Sequence, residues 1–193
     1  MSYEAYRRTL TPLIRALYRI EVRGAEHIPQ AGPLVVTGNH DSVLDPFVMA
    51  AVVPRTIHFL GKSEFWRYAP LRWWLGTVGA IPIVRGGSDA EAIAAAVAAL
   101  EAGAAVGIFP EGGVKREGPW LRGAARMALT TGAPLLPIRF LDTRKALGPG
   151  TIAFPALAAL VGEPIEVQRA QPTPELARAL TDRLQAAVES LGT

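Results

Sequence analysis

Short apolar runs alternate with helical patterns along the chain, and this alternation predicts the fold. Each run is apolar at successive positions, so both faces of the corresponding strand are expected to be buried, as in a parallel sheet covered by helices on both sides. Glycine or proline bounds each run and limits its length. The predicted strands are residues 33–38, 56–61, 79–84, 104–109 and 134–140.

End signals mark the helices between these strands. Asp45 followed by Pro46 predicts a helix with the aspartate as its N-cap, ending before Pro54. Ser88 and Glu91 have the spacing of a capping box. Strands that alternate with helices imply an α/β fold: a single domain whose central sheet is largely parallel and flanked by helices. The helices are predicted over residues 45–53, 88–102, 123–132 and 173–191.

The first 20 residues predict an amphipathic helical segment that precedes the α/β domain, which is assigned to residues 21–193. Pro12 is expected to kink or split this helix. A basic amphipathic helix either lies in a membrane interface or packs on its own domain, and the sequence leaves both open. The predicted apolar stripe consists of Tyr3, Tyr6, Leu10, Leu13, Leu17 and Ile20.

Residues 151–167 form the least regular part of the pattern. Their apolar positions predict one or two edge strands, interrupted by Pro155 and Gly162. No internal repeat or low-complexity tail accompanies them.

Length and composition exclude several kinds of protein. A length of 193 residues suits one domain with a substantial core. The sequence has no run of about 18 uncharged apolar residues, so a spanning helix is not expected, and the N-terminal residues lack the apolar core of a secretory signal. The chain has no cysteine, which excludes disulfides and thiolate metal sites and fits a reducing compartment.

The net charge is only +3, but basic residues are concentrated in two zones, 55–88 and 112–139. Such zones suit an anionic substrate, a phospholipid surface or nucleic acid. Glycine turns and apolar strands give the nucleic-acid alternative little support, so no nucleic-acid partner is expected.

The stretch from Gly38 to Phe47, GNHDSVLDPF, places a histidine and an aspartate five positions apart at the end of a predicted strand. Residues five apart on a continuous helix are rotated by about 140°, so His40 and Asp45 can meet only through a loop. If the loop folds back, the carboxylate accepts a hydrogen bond from Nδ1–H and leaves Nε2 as a base, as in part of a catalytic triad. Alternatively, Asp45 only caps its helix and His40 is a loop residue.

Other polar groups follow neighbouring strands. The glycines of FPEGG, residues 109–113, can present backbone N–H groups to an anion or an oxyanion, and Glu111 can accept hydrogen bonds from a polyol hydroxyl. No G-x-S-x-G elbow surrounds Ser42, so direct transfer between two bound substrates is expected, and scattered histidines predict no metal. The candidate substrate-binding residues are Arg85, Glu111, Gly112, Gly113, Lys115 and Arg116.

Four ordered blocks of the sequence resemble the glycerophospholipid acyltransferases, the family of 1-acyl-glycerol-3-phosphate acyltransferases. NHDSVLDP resembles the N-H-x-x-x-x-D block and GAIPIVR the second block, G-x-I-x-x-x-R. FPEGGVKREG resembles the third block, F-P-E-G-T-R-S-R-D-G, and APLLPIRF the fourth. The resemblance extends over roughly residues 20–167.

This resemblance implies that His40 is the general base and that Asp45 orients it. The base activates an acceptor hydroxyl that attacks the thioester of acyl-CoA or acyl-carrier protein, without an acyl-enzyme and without a cofactor. It also implies that the basic residues of the second and third blocks hold the acceptor phosphate. The expected product is phosphatidate, made by a peripheral enzyme on the cytoplasmic face of the cell membrane.

One residue departs from the family pattern. Val114 stands where the third block has an arginine, so the acceptor headgroup stays open. Alternative acceptors are glycerol 3-phosphate, another lyso-lipid or a lipid-linked alcohol, and a non-catalytic lipid-binding module is the alternative outside enzymes. Membrane contact is expected from the N-terminal helix and from Phe65, Trp66, Arg67, Trp73 and Trp74, although the two adjacent tryptophans fit the core equally well.

Overall fold

The computed structural model describes residues 3–83, 89–114, 118–148 and 151–192. Within these ranges all five predicted strands and the four predicted helices of the α/β domain are present, but the helices Ala69–Thr77 and Thr143–Ala146 were not predicted. The helices are α1 Tyr3–Leu17, α2 Asp45–Val52, α3 Ala69–Thr77, α4 Asp89–Glu101, α5 Gly123–Thr131, α6 Thr143–Ala146 and α7 Pro174–Ser190, with 3₁₀ turns at Ala25–His27 and Ser63–Arg67. The strands are β1 Glu21–Arg23, β2 Leu34–Gly38, β3 Ile57–Lys62, β4 Ile81–Ile83, β5 Ala105–Ile108, β6 Leu135–Leu141, β7 Leu147–Gly148, β8 Thr151–Ile152 and β9 Ala158–Val161.

Seven of these strands form one sheet in the order β1-β9-β6-β2-β5-β3-β4. The pairing of β6 with β9 is antiparallel and the other neighbours are parallel. The prediction of a largely parallel sheet flanked by helices is therefore confirmed. Strand β2 lies at the centre, with β5 paired on one side of it and β6 on the other.

The sheet separates two apolar layers, and alternate residues of β2 supply both. All five residues of β2 are buried. Leu34 and Val36 pack with Met49 of α2, whereas Val35 packs in the opposite layer with Met127 of α5 and Leu184 of α7. Burial on both faces explains why this strand reads as an uninterrupted apolar run.

The prediction for residues 151–167 is partly wrong. Strand β8 forms a small hairpin with β7, but β9 is not an edge strand, because it pairs with β6 on one side and with β1 on the other. Strand β1 was not predicted. It has only three residues, and the central one is half-buried between two exposed ones, so its local apolar signal is weak.

Helix α1 runs through Pro12 without being split, and it packs against α2. The predicted stripe is wrong for Leu13 and Leu17, which are 59% and 42% exposed. The other four members of the stripe do pack on the domain, together with Ile14 and Tyr18; these four are Tyr3, Tyr6, Leu10 and Ile20. Tyr6, Leu10, Ile14 and Tyr18 are spaced by four along the chain, which is one ridge of a helix surface. Among the described residues, no helix combines the length and the apolar character needed to cross a bilayer.

Two glycines provide a matched test of packing. A Cβ at Gly107 in β5 would lie 2.7 Å from Ile57 Cγ2 and 2.9 Å from Phe59, whereas a Cβ at Gly76 in α3 meets nothing within 4 Å. We expect Gly107→Ala to destabilise the fold by about 1–3 kcal/mol through overpacking. Gly76→Ala is expected to be neutral or to stabilise by up to about 1 kcal/mol. Chemical denaturation measures both, and equal effects of the two substitutions would contradict the packing described.

Candidate active site

The candidate site lies where β2 ends and its chain continues as the loop 39–44 to α2. In open parallel sheets this edge, beyond the carboxyl ends of the strands, is where ligands bind. Neighbouring strands β5 and β6 end beside it, so groups from three segments of the sequence converge on the loop.

The loop folds back and brings His40 to Asp45. His40 Nδ1 lies 3.0 Å from Asp45 Oδ2, with side chains 14% and 0% exposed. The same oxygen accepts a 2.8 Å hydrogen bond from the Ser42 backbone N–H. The geometric prediction that the two residues lie within hydrogen-bond reach is confirmed.

The prediction that Asp45 is the N-cap of its helix is wrong. Asp45 is the first helical residue, and Leu44 takes the capping position without a side-chain bond. The carboxylate points back to Ser42 and His40 because these donors, and not the first N–H groups of the helix, occupy its Oδ2. Pro46 follows at a position where the absence of an N–H is tolerated.

This arrangement determines where the imidazole proton lies. A carboxylate oxygen has only acceptor capacity, so the close partner Nδ1 must be the nitrogen that carries the proton. Nε2 then retains a lone pair and can act as a base or as a hydrogen-bond acceptor. Within the described residues, no donor reaches the other oxygen, Asp45 Oδ1, although it is buried.

Two residues that follow β5 hold His40 from the other side. The Phe109 ring stacks on the imidazole with ring centres 4.2 Å apart and an angle of 20° between the planes. Glu111 Oε1 accepts a 3.1 Å hydrogen bond from the His40 backbone N–H. Burial raises the pKa of the Glu111 carboxyl, and the charges of Asp41 and Asp45 raise it further against the lowering effect of the His40 N–H.

The glycines after Glu111 shape the turn. Gly112 has a φ of 75°, in the region that favours glycine, and its N–H donates to Phe109 O at 3.1 Å. This N–H is therefore already satisfied and is not the anion donor that the sequence suggested. Gly112 and Gly113 both line the cavity beside His40.

His40 lines a cavity of about 610 Å³ whose other lining side chains are mostly apolar. Trp74 forms part of its wall and is only 4% exposed, with its ring 4.2 Å from Phe47 and 5.4 Å from Phe59. Val114 lines the cavity and is 39% exposed. A cavity of this size and character suits an apolar ligand chain.

Comparison with known proteins agrees with this geometry. A family profile described as Acyltransferase matches residues 19–141. The chain belongs to the acyltransferase family. Human 1-acyl-sn-glycerol-3-phosphate acyltransferase alpha is 38% identical over 134 residues, which cover 65% of this chain and 47% of the relative. The enzyme of the same name from Borreliella burgdorferi is 31% identical over 130 residues, which cover 65% of this chain and 52% of the relative.

The acyltransferase fold also appears in a solved structure. The 1-acyl-sn-glycerophosphate acyltransferase PlsC of Thermotoga maritima superimposes with a TM-score of 0.72 at 22% identity, covering 96% of this chain and 80% of that one. This likeness concerns the fold. The chain spans about half the length of the curated relatives it matches.

The structure brings together only part of the predicted acyltransferase site. His40, Asp45, Glu111, Gly112 and Gly113 meet at the mouth of the cavity or beside it. Arg85, Lys115 and Arg116, together with the predicted cap Ser88, lie outside the described residues. Their contact with an acceptor phosphate therefore stays a prediction.

Sequence reasoning missed three groups that contact the His40 loop: the Phe109 ring, the Ser42 backbone N–H and the side chain of Asn39. The FPEG turn pointed to the segment that contains Phe109, but not to a ring stacked on the imidazole. Asn39 begins the N-H-x-x-x-x-D block and is the only asparagine of the chain. Its place in this block is the feature of the sequence that could have pointed to it.

The environment of Glu111 predicts a pH-dependent stability. A carboxyl with a raised pKa binds its proton more tightly in the folded state, so its contribution to stability falls as the pH rises from 4.5 through the raised value. Glu111→Gln keeps an oxygen acceptor for His40 N–H and removes the titration. We expect the stability of this variant, relative to the unsubstituted protein, to increase as the pH rises from 4.5 to 8.

Thermal and urea unfolding at several pH values measure this difference. Glu111→Ala also removes the acceptor, so it is expected to be less stable than Glu111→Gln at each pH. A difference between Glu111→Gln and the unsubstituted protein that stays constant with pH would contradict the assignment.

Proposed function

We propose that this protein transfers a fatty acyl group from an acyl thioester to the hydroxyl of a lyso-glycerophospholipid, most simply 1-acyl-glycerol 3-phosphate. The product is then phosphatidate. The single observation that carries the proposal is an apolar cavity lined by an imidazole whose Nδ1 is bound to a buried aspartate. Family membership and the printed names of the relatives support it.

The chemistry uses His40 as a general base. As the acceptor oxygen attacks the thioester carbonyl, its proton passes to Nε2 and the carbonyl becomes a tetrahedral oxyanion. When this intermediate collapses, the C–S bond breaks and the thiolate leaves, taking the proton from the imidazolium. Asp45 stabilises the imidazolium through Nδ1 without becoming protonated, so no covalent acyl-enzyme is needed.

The cavity holds the acyl chain of the donor. Its aromatic and aliphatic walls remove methylene groups from water, which stabilises the complex by about 0.8 kcal/mol per buried CH₂. In this proposal the thioester carbonyl of the bound chain lies beside the imidazole, because His40 is one of the residues that line the cavity. Acyl-CoA and acyl-carrier protein both present such a chain, and the donor is one of these two.

The acceptor headgroup depends on the third block of the sequence. Val114 lines the mouth of the cavity together with Val43, so this part of the rim is apolar. This observation favours testing acceptors with other headgroups beside 1-acyl-glycerol 3-phosphate. Glycerol 3-phosphate, other lyso-lipids and lipid-linked alcohols are the alternatives.

The protein works at a membrane surface, on the cytoplasmic face in this proposal. Trp73 and Phe65 are 47% and 39% exposed, and Arg67 and Arg72 beside them are exposed, a combination that suits the headgroup region. Trp74 and Trp66 do not support it, because the first is buried and the second packs against the core.

The proposed activity is tested with a mixture of lyso-lipids and glycerol 3-phosphate, offered with one acyl-CoA or one acyl-carrier protein. Mass spectrometry of the products is expected to show ester formation on one acceptor class. His40→Ala is expected to lower kcat by roughly 10²–10⁴-fold, because it removes the base. His58→Gln is the matched control, since His58 binds the Gly79 carbonyl away from the cavity.

Two outcomes would contradict this proposal. One is a purified, folded protein that acylates none of the acceptors with either donor. The other is a His40→Ala variant that transfers acyl groups as fast as His58→Gln.

Membrane contact is tested by vesicle sedimentation. Trp73→Ser is expected to weaken binding to anionic vesicles by roughly tenfold, since a large side chain loses its burial in the interface. Leu176→Ser is the matched control, because Leu176 is equally exposed, at 47%, but lies on α7 in the opposite layer of the domain. Equal binding of the two variants would contradict the proposed surface.

A further inference from the structure

The side chain of Asn39 makes three hydrogen bonds at the start of the His40 loop. Its Oδ1 accepts from the Phe140 backbone N–H at 2.7 Å, and its Nδ2 donates to the Phe140 carbonyl at 3.0 Å. The same Nδ2 also donates to Asp41 Oδ2 at 2.7 Å. One amide therefore connects strand β6 with the residue that follows the histidine.

The two bonds to Phe140 replace a step of the sheet ladder. Main-chain pairing of β2 with β6 ends at Gly38 opposite Ile138. Beyond that point the Asn39 carboxamide offers the acceptor and the donor that a strand residue would offer with its backbone. The main chain is thereby free to leave the sheet, and the His40 N–H turns to Glu111 on the opposite side of β2.

The third hydrogen bond, from Asn39 Nδ2 to Asp41 Oδ2, affects which of two carboxylates binds the imidazole. Asp41 is adjacent to His40 in the chain and Asp45 is five positions further on, so both can approach the ring. Asp45 alone makes the contact with Nδ1, while the Asp41 carboxylate is held by Asn39. An Asp41 carboxylate released from this bond would need another donor, and the neighbouring residue in the chain carries the imidazole.

We propose that Asn39 is a positioning residue that holds Asp41 away from the imidazole, so that Asp45 is the carboxylate that orients His40. The consequence for catalysis rests on the acyl transfer proposed above. A ring turned toward Asp41 would displace Nε2, and small displacements of a catalytic group carry large kinetic costs.

The charged groups that face His40 come from each described element packed against it. Asp41 belongs to its own loop, Asp45 to α2, and Glu111 to the segment after β5. On β6, Phe140 contributes main-chain groups only to this network. Glu111 is occupied by the His40 backbone N–H, so Asp41 is the competitor for Nδ1 that the experiment must isolate.

The test follows the hydrogen-bonded Nδ1 proton of His40 by NMR in protein labelled with ¹⁵N at histidine. The chain has only three histidines, and Asp45→Asn assigns the signal. We expect Asn39→Ala to abolish or shift this signal, and N39A/D41N to restore it, because asparagine at position 41 does not compete as an anion. With active enzyme, N39A is expected to lower kcat by roughly 10- to 100-fold with little change in KM for the thioester, and D41N to recover most of the loss.

Thr37→Val is the matched control. Thr37 also lies on β2, and its buried hydroxyl donates to the Leu136 carbonyl of β6 at 3.2 Å, but it does not reach the loop. This variant is expected to lose stability while keeping the Nδ1 signal. If Asn39→Ala does not fold, Asn39→Asp serves instead, because its carboxylate still accepts from Phe140 N–H and cannot donate to Asp41.

The proposal is overturned if the Nδ1 signal is unchanged in the Asn39 variant, if D41N restores neither signal nor kcat, or if Thr37→Val alters the signal in the same way. The NMR measurement needs no substrate, so it tests the positioning role of Asn39 independently of the proposed acyl transfer. A protein without acyl transfer activity whose signal follows the expected pattern would refute the enzyme function and leave the positioning role intact.

Discussion

The hydrogen bond between His40 Nδ1 and Asp45 Oδ2 constrains the path of the loop at the centre of the domain. Two residues five apart in the chain must meet with the aspartate fully buried, so the loop between them has to double back and be held in that path. A buried carboxylate without donors would be costly. Ser42 N–H and the imidazole supply those donors, so one oxygen serves both the folding of the loop and the orientation of the base.

The position of β2 makes this possible. The strand is central, with β5 on one side and β6 on the other, so groups from both neighbours reach the loop where β2 ends. Glu111 and Phe109 hold His40 from the β5 side, and Phe140 holds Asn39 from the β6 side. His40 also lines the apolar cavity, so its hydrogen-bonded imidazole lies among mostly apolar side chains. Charge that develops in apolar surroundings is stabilised by fixed dipoles more effectively than it would be in water.

Local pattern was sufficient for the five mutually parallel strands β2 to β6 and for the pair His40 and Asp45. The strands have apolar residues on both faces, and the pair belongs to a block with fixed spacing. Local pattern was insufficient where the deciding contact is distant in sequence. Asn39 and Phe140 are 101 residues apart, and β9 is internal only because β1 comes to lie outside it. The Asp45 cap was wrong for a related reason: a nearby imidazole and a loop N–H compete successfully with the helix for the carboxylate.

The central claim is that His40 passes a proton and never an acyl group, so that the chain moves directly from thioester to alcohol. Rapid quenching of a single turnover, followed by mass spectrometry of the intact protein, tests this most directly. We expect the ester product to form with no protein species heavier by one acyl group at any time. An acylated protein that appears before the product and decays as the product forms would contradict the account.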